Sequence, residues 1–224
     1  MALITIIIIA VTVIFSLRAF NNYALFDRFK FQPQAITRGK QYDRLLTSGF
    51  LHVDMTHLLF NMLTLFFFAN VVIGFFARHM GNDIATGSVL FAVLYLLAII
   101  GGNLLALLFQ QNNPNYSAVG ASGGVSGILF ASIVVYPDLQ LYLFFALPIK
   151  GWLFAILYLG YSVYGVQKQL GNIGHEAHLG GAIVGLVFPL IFAPYLFEQN
   201  MIYILGMLIP IAVLLVMAIR ARKN

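Results

Sequence analysis

The chain has 224 residues, of which 61% are hydrophobic and only 8% charged, with 21 Phe against 7 acidic residues. That balance excludes a soluble domain, and the lack of cysteine excludes disulfides, thiol nucleophiles and cysteine-ligated metals. A formal charge of +5 without any basic-aromatic motif gives no reason to expect nucleic acid; basic residues beside apolar spans ordinarily meet lipid headgroups.

Seven apolar runs follow one another, at about 1–17, 57–77, 84–109, 119–136, 141–166, 179–197 and 201–219. Most approach the ~20 residues that a helix needs to cross ~30 Å of hydrocarbon. Period-2 alternation is missing and an isolated strand cannot satisfy its backbone in lipid, so helices are predicted. The expected fold is all-α, a polytopic membrane helix bundle forming one domain over 1–224. The first run lacks a basic leader and a small-x-small cleavage site, and reads as a retained helix. After it comes the only long polar stretch, about 18–56, with Arg18, Arg28, Lys30, Arg38, Lys40 and Arg44. Its Phe, Tyr and Leu content predicts packing against the bundle. The turn-rich segment 110–117 leads into the fourth run, which places Ser122 in that helix's first turns. Pro148 and Lys150 interrupt the fifth run, and His175 with Glu176 is read as loop before the sixth. The seventh run, 201–219, is long enough to span.

Polar side chains within such runs need a reason, because hydrocarbon cannot satisfy them. Three groups stand out. His57 and Asn61 are four apart and project from one helix face, with His52 close upstream. Ser122 lies in Gly120-Ala121-Ser122-Gly123, and His178 in Ala177-His178-Leu179-Gly180-Gly181. Small residues are common in membrane helices for packing alone, so Gly-x-Ser-Gly by itself is weak. Here Gly120, Gly123 and Gly127 predict a bare face on the fourth helix, and Gly181 with Gly185 a matching one on the sixth. Close contact of those faces would bring Ser122 and His178 within the ~2.6–3.2 Å of proton transfer. His57, Asn61 and the backbone N–H of Ser122 are then candidate donors to an oxyanion. All seven acidic residues fall in loops or at helix ends, so a Ser122–His178 dyad is expected, not a triad. A polar cavity lined by His52, His57, Asn61, Ser122 and His178 would supply water. His175-Glu176-Ala177-His178 places its histidines three apart, not the four of a zinc protease helix, so no metal and no cofactor is expected.

These motifs together resemble the rhomboid family of intramembrane serine proteases, over about residues 40–190. Gly120 to Gly123 resembles the family's nucleophile motif, His178 its catalytic histidine, His57 and Asn61 its HxxxN oxyanion motif. His52 resembles the additional histidine upstream, and Gly181 with Gly185 the GxxxG packing face. The resemblance implies a six-helix core at about 40–197, a seventh helix at 201–219, and hydrolysis of transmembrane protein substrates within the lipid bilayer. It also implies an amino terminus in the cytoplasm, against the positive-inside rule. A bacterial inner membrane is the expected location. The second reading is a catalytically inactive relative that binds membrane helices as a chaperone. Two departures stand out. Asp43-Arg44 replaces the family's Trp-Arg, leaving Arg44 as a loop anchor, and Ser126 occupies the place of an aromatic residue that stacks on the histidine.

Overall fold

A computed structural model describes residues 2–143, 146–168, 170 and 173–221. The chain begins with α1 (Leu3–Phe20), followed by the short helices α2 (Tyr23–Phe29), α3 (Pro33–Thr37) and α4 (Arg44–Thr47) and a 3-10 turn (Ser48–Phe50). Then come α5 (Met55–His79), α6 (Ile84–Gln110), α7 (Ser122–Val135), strands β1 (Gln140–Leu143) and β2 (Leu147–Lys150), and α8 (Gly151–Lys168). The chain closes with α9 (His175–Phe192), α10 (Tyr195–Gln199) and α11 (Met201–Ala221). Apart from that small hairpin the fold is an all-α bundle. Among the described residues, α1, α5, α6 and α9 are long and apolar enough to cross a membrane.

Local chemistry starts these helices where they start. Asp54 caps α5 by accepting from His57 N at 2.7 Å, and Asp83 caps α6 by accepting from Ala85 N at 2.9 Å. The bundle is organised around α7, in which every residue from Gly123 to Val135 is buried. Protein surrounds it on all sides, so its length need not match the bilayer. Fourteen residues make a helix of about 21 Å, some 9 Å short of a ~30 Å hydrocarbon layer. The segment before it must therefore descend toward the middle of the bundle, and it carries Ser122 down with it.

α9 lies against α7 with backbone in contact. A Cβ on Gly181 would overlap the carbonyl oxygen of Gly123, and one on Gly185 that of Gly127. No side chain fits at either contact. Gly124 faces α6 instead, where its Cβ would meet the Tyr95 ring at 2.7 Å.

Three expectations need correction. The fifth apolar run does not begin as a helix: its residues 141–143 and 147–150 belong to strands β1 and β2, paired Gln140 with Lys150 and Leu143 with Leu147. Pro148 cannot donate to a helical ladder, and the chain turns back before α8 begins. The sixth run becomes helical earlier, at His175, and stops at Phe192 before Ala193-Pro194. His175 and Glu176 are thus buried in the first turn of α9, not in a loop. Finally, Gly120 is not on the α7 face that meets α9. It precedes α7 with φ +138°, and its role is local, as described below.

The long polar stretch does fold against the bundle. Arg44, 5% exposed, donates through its guanidinium to the carbonyls of Asp27 (2.8 Å) and Lys30 (2.7 Å) and to Gln41 Oε1 (2.7 Å). One cation thus gathers the carbonyls of α2's end, which would otherwise be unpaired. On the bundle side, Asn103 of α6 donates to Leu45 O (2.8 Å) and Ser48 Oγ (3.0 Å).

Candidate active site

Ser122 is the first residue of α7 and His178 lies in the first turn of α9, at the same end of the bundle. The close approach of Gly123 to Gly181 brings those ends together, and Ser122 Oγ lies 2.7 Å from His178 Nε2. That is proton-transfer distance, with the nitrogen aimed at the hydroxyl.

The segment feeding α7 is held by the folded polar stretch. Phe31 and Ala118 exchange backbone hydrogen bonds at 2.9 and 3.1 Å, and Gly120 N donates to Ser48 O at 3.0 Å. Ala121 N then donates to His52 Nε2 at 3.3 Å. His52 is fully buried and does not line the cavity, contrary to expectation. Its Nδ1 meets Ser16 Oγ at 2.9 Å, and that hydroxyl already donates to Phe50 O at 3.0 Å. Nδ1 must then carry the proton and Nε2 accept, which fixes a neutral ring linking α1 to the residue before Ser122. Burial, and after it the neighbouring His57, hold this imidazole far below its ordinary range, at about 3.

His57 stands edge-on to His52, ring centroids 4.9 Å apart. A Cβ on Gly120 would meet His57 Cε1 at 2.7 Å and Nε2 at 2.9 Å. Only glycine leaves room for that ring, and only glycine holds φ +138° without strain. Asn61 donates one amide hydrogen to His57 O at 2.9 Å and keeps the other free toward the cavities. His57, Asn61, Ser122 and His178 therefore lie together around one cavity, with His52 behind them.

Two cavities meet at Asn61 and Ser122. One, of about 860 Å³, is polar and bounded by Lys30, Asp54, His57, Asn113, Tyr116 and His178 among others. The second, of about 630 Å³, is apolar and runs between α5 and α8 over the β1–β2 hairpin, past Phe67, Leu129, Leu141 and Tyr158. A group at Ser122 thus borders one cavity with many polar lining residues and one that is mainly apolar.

Sequence reasoning missed two contributors. Tyr158 of α8 lies over His178, ring centroids 5.9 Å apart and planes 23° from parallel, with its hydroxyl 2.6 Å from Ser126 Oγ. In sequence it is one of three similar tyrosines, with Tyr161 and Tyr164, and nothing distinguishes it. Glu176 accepts from Gln110 Nε2 at 2.7 Å, and burial followed by that carboxylate's charge raises the Tyr116 phenol. The hydrogen bond joins α9 to the last residue of α6.

These residues all lie within the stretch that is similar to known proteins. The family described as Rhomboid domain matches residues 39–195. The chain is 28% identical over 185 residues to RHOMBOID-like protein 12, mitochondrial, of Arabidopsis thaliana, covering 76% of this chain and 52% of that protein. It is 28% identical over 151 residues to Rhomboid protein 1, mitochondrial, of Saccharomyces cerevisiae, covering 64% and 40%. A third relative, Inactive RHOMBOID-like protein 8 of Arabidopsis thaliana, is 31% identical over 100 residues, 45% of this chain and 26% of that protein. The chain spans about half the length, or less, of these relatives.

Proposed function

The chain belongs to the rhomboid family of integral membrane proteins, and from that premise we propose that it is a multi-pass intramembrane serine endopeptidase with a Ser122–His178 dyad. The observation that carries the reading is the 2.7 Å hydrogen bond between Ser122 Oγ and His178 Nε2, at the junction of a polar and an apolar cavity.

In this mechanism the apolar cavity admits a transmembrane helix of another membrane protein. Local unwinding exposes a peptide bond, which favours substrates weakened by Gly, Pro or polar residues near one interface, with a small residue before the scissile bond. His178 Nε2 takes the Ser122 hydroxyl proton while Oγ attacks the carbonyl carbon. The tetrahedral oxyanion meets the backbone N–H of Ser122, which at the first position of α7 has no intrahelical acceptor. The free amide hydrogen of Asn61 and the imidazole of His57 complete the donor set. Collapse transfers the proton to the leaving amine, and water from the polar cavity hydrolyses the acyl-enzyme with the same imidazole as base. None of these steps calls for a metal or cofactor.

The test is cleavage of a transmembrane substrate in liposomes by the intact protein and by Ser122→Ala, Ser126→Ala and His178→Ala. Loss of turnover in the Ser122 and His178 variants, with Ser126→Ala retaining part of it, is the expected result. Turnover surviving Ser122→Ala would remove the nucleophile from the reading.

A second reading is a catalytically inactive helix-binding protein, and the relative named inactive speaks for it. Retention of Ser122 and His178 at hydrogen-bond distance favours the protease. The expected bacterial inner membrane has no support among the relatives above, two of which are named mitochondrial.

A further inference from the structure

Position 126 lies one helical turn beyond Ser122 on α7, and the serine there looks at first like a gap beside the dyad. The gap is filled from another helix. Tyr158 of α8 lays its ring against His178, centroids 5.9 Å apart at 23° between planes. Phe130 and Phe154 pack around that ring at 5.7 and 5.6 Å. A partly buried phenol among aromatic rings gains from a partner for its hydroxyl. Ser126, itself only 3% exposed, has the same need, and the two oxygens meet at 2.6 Å. The small serine also leaves the volume that a ring from α8 requires. Each residue thus accounts for the other.

The dyad gains a specific restraint. A hydrogen bond from the Ser122 hydroxyl to Nε2 fixes one point of the imidazole but leaves rotation about its broad terminal torsion. A ring stacked on its face restricts that rotation. Resting on the proposed protease activity, we propose that Tyr158, anchored by Ser126, is the positioning residue for His178, so that the dyad is aligned only while α8 is seated against α7. Tyr158, Ser126 and Phe154 also wall the apolar cavity, which makes the helix that bounds substrate access the one that sets the histidine.

The experiment uses the full chain in detergent with Tyr158→Leu, Tyr158→Phe, Ser126→Ala and the Ser126→Ala/Tyr158→Phe double variant. Two readouts are taken: kcat and KM against pH for a transmembrane substrate, and the His178 ring signals of 15N-histidine-labelled protein. Tyr158→Leu should lower kcat about 30- to 100-fold, the scale of a reacting group misplaced by about 1 Å, with KM within about threefold. It should also shift the kcat pH profile and the His178 signals. Tyr158→Phe retains the ring and should recover most of the rate. Ser126→Ala should match it, and the double variant should be no worse than either single, because all three lose one shared hydrogen bond.

The inference is overturned if Tyr158→Leu leaves kcat and the His178 signals unchanged, if KM alone moves, or if the Ser126 and Tyr158 effects multiply. Should Tyr158→Leu fail to fold, the Ser126/Tyr158 cycle decides. An intact protein that cleaves nothing would end the protease reading, while the His178 signals would still decide the positioning one.

Discussion

Asn61 donates one amide hydrogen to the carbonyl of His57 and lines both cavities together with Ser122, so its structural and chemical uses can be separated. Asn61→Leu should lower kcat by about 10²-fold, the usual loss for one oxyanion donor, while the thermal midpoint in detergent moves little. An unchanged kcat would assign the oxyanion to His57 and the Ser122 N–H alone. His52 acts on folding. Its folded imidazole titrates at about 3, against about 6.5 in an unfolded chain. Between those values the unfolded chain binds a proton that the folded one refuses, so stability present above pH 6.5 should be lost as pH falls toward 3. Thermal unfolding measured across that window should show this slope, and His52→Gln, which keeps a donor and an acceptor without titrating, should flatten it. Ser122, His178, His57 and Asn61 were legible because each sits in an apolar run beside residues of telling spacing. Tyr158 was not, because an aromatic residue on an apolar helix is ordinary until its neighbour is known.

The α7–α9 contact decides whether the two halves of the dyad meet. Gly181→Leu places a side chain where the Gly123 carbonyl already lies, so the helices must separate. Overpacking of this kind costs about 1–3 kcal/mol or more, and turnover should vanish with it. Gly160→Ala on α8 is the control, since nothing lies within 4 Å of its Cβ position. It should leave turnover intact and stabilise the helix by up to about 1 kcal/mol. Thermal unfolding of both variants in one detergent checks the pair; equal behaviour would remove the close-packing account. The glycine spacing made this face readable, apart from Gly120, whose conformation depends on the His57 ring above it. The β1–β2 hairpin was unreadable for a related reason: its residues are nearly as apolar as a helix, and only Pro148 and Lys150 marked the break.

Across the whole molecule, the polar stretch after α1, the loop before α7 and the start of α9 all line one polar cavity, so they share one end of the bundle. The β1–β2 hairpin follows the far end of α7 in the chain. Reporter fusions in 111–117 and at Val53 should therefore give the same side of the membrane, and a fusion at Ala146 the opposite one. Agreement of all three would refute the arrangement. Arg222 and Lys223, part of the basic tail, lie outside the described residues.

By itself the sequence determined that the chain is a bundle of apolar helices, which residues could carry chemistry, and which glycines permit backbone contact. These follow from composition and from periodicities of three to four residues, which are local properties. Only the tertiary structure decided that His52 stands behind the site, that Tyr158 covers His178, and that a more polar and an apolar cavity meet at Ser122. Each depends on which helices are neighbours, and that is settled by packing among segments far apart in the chain.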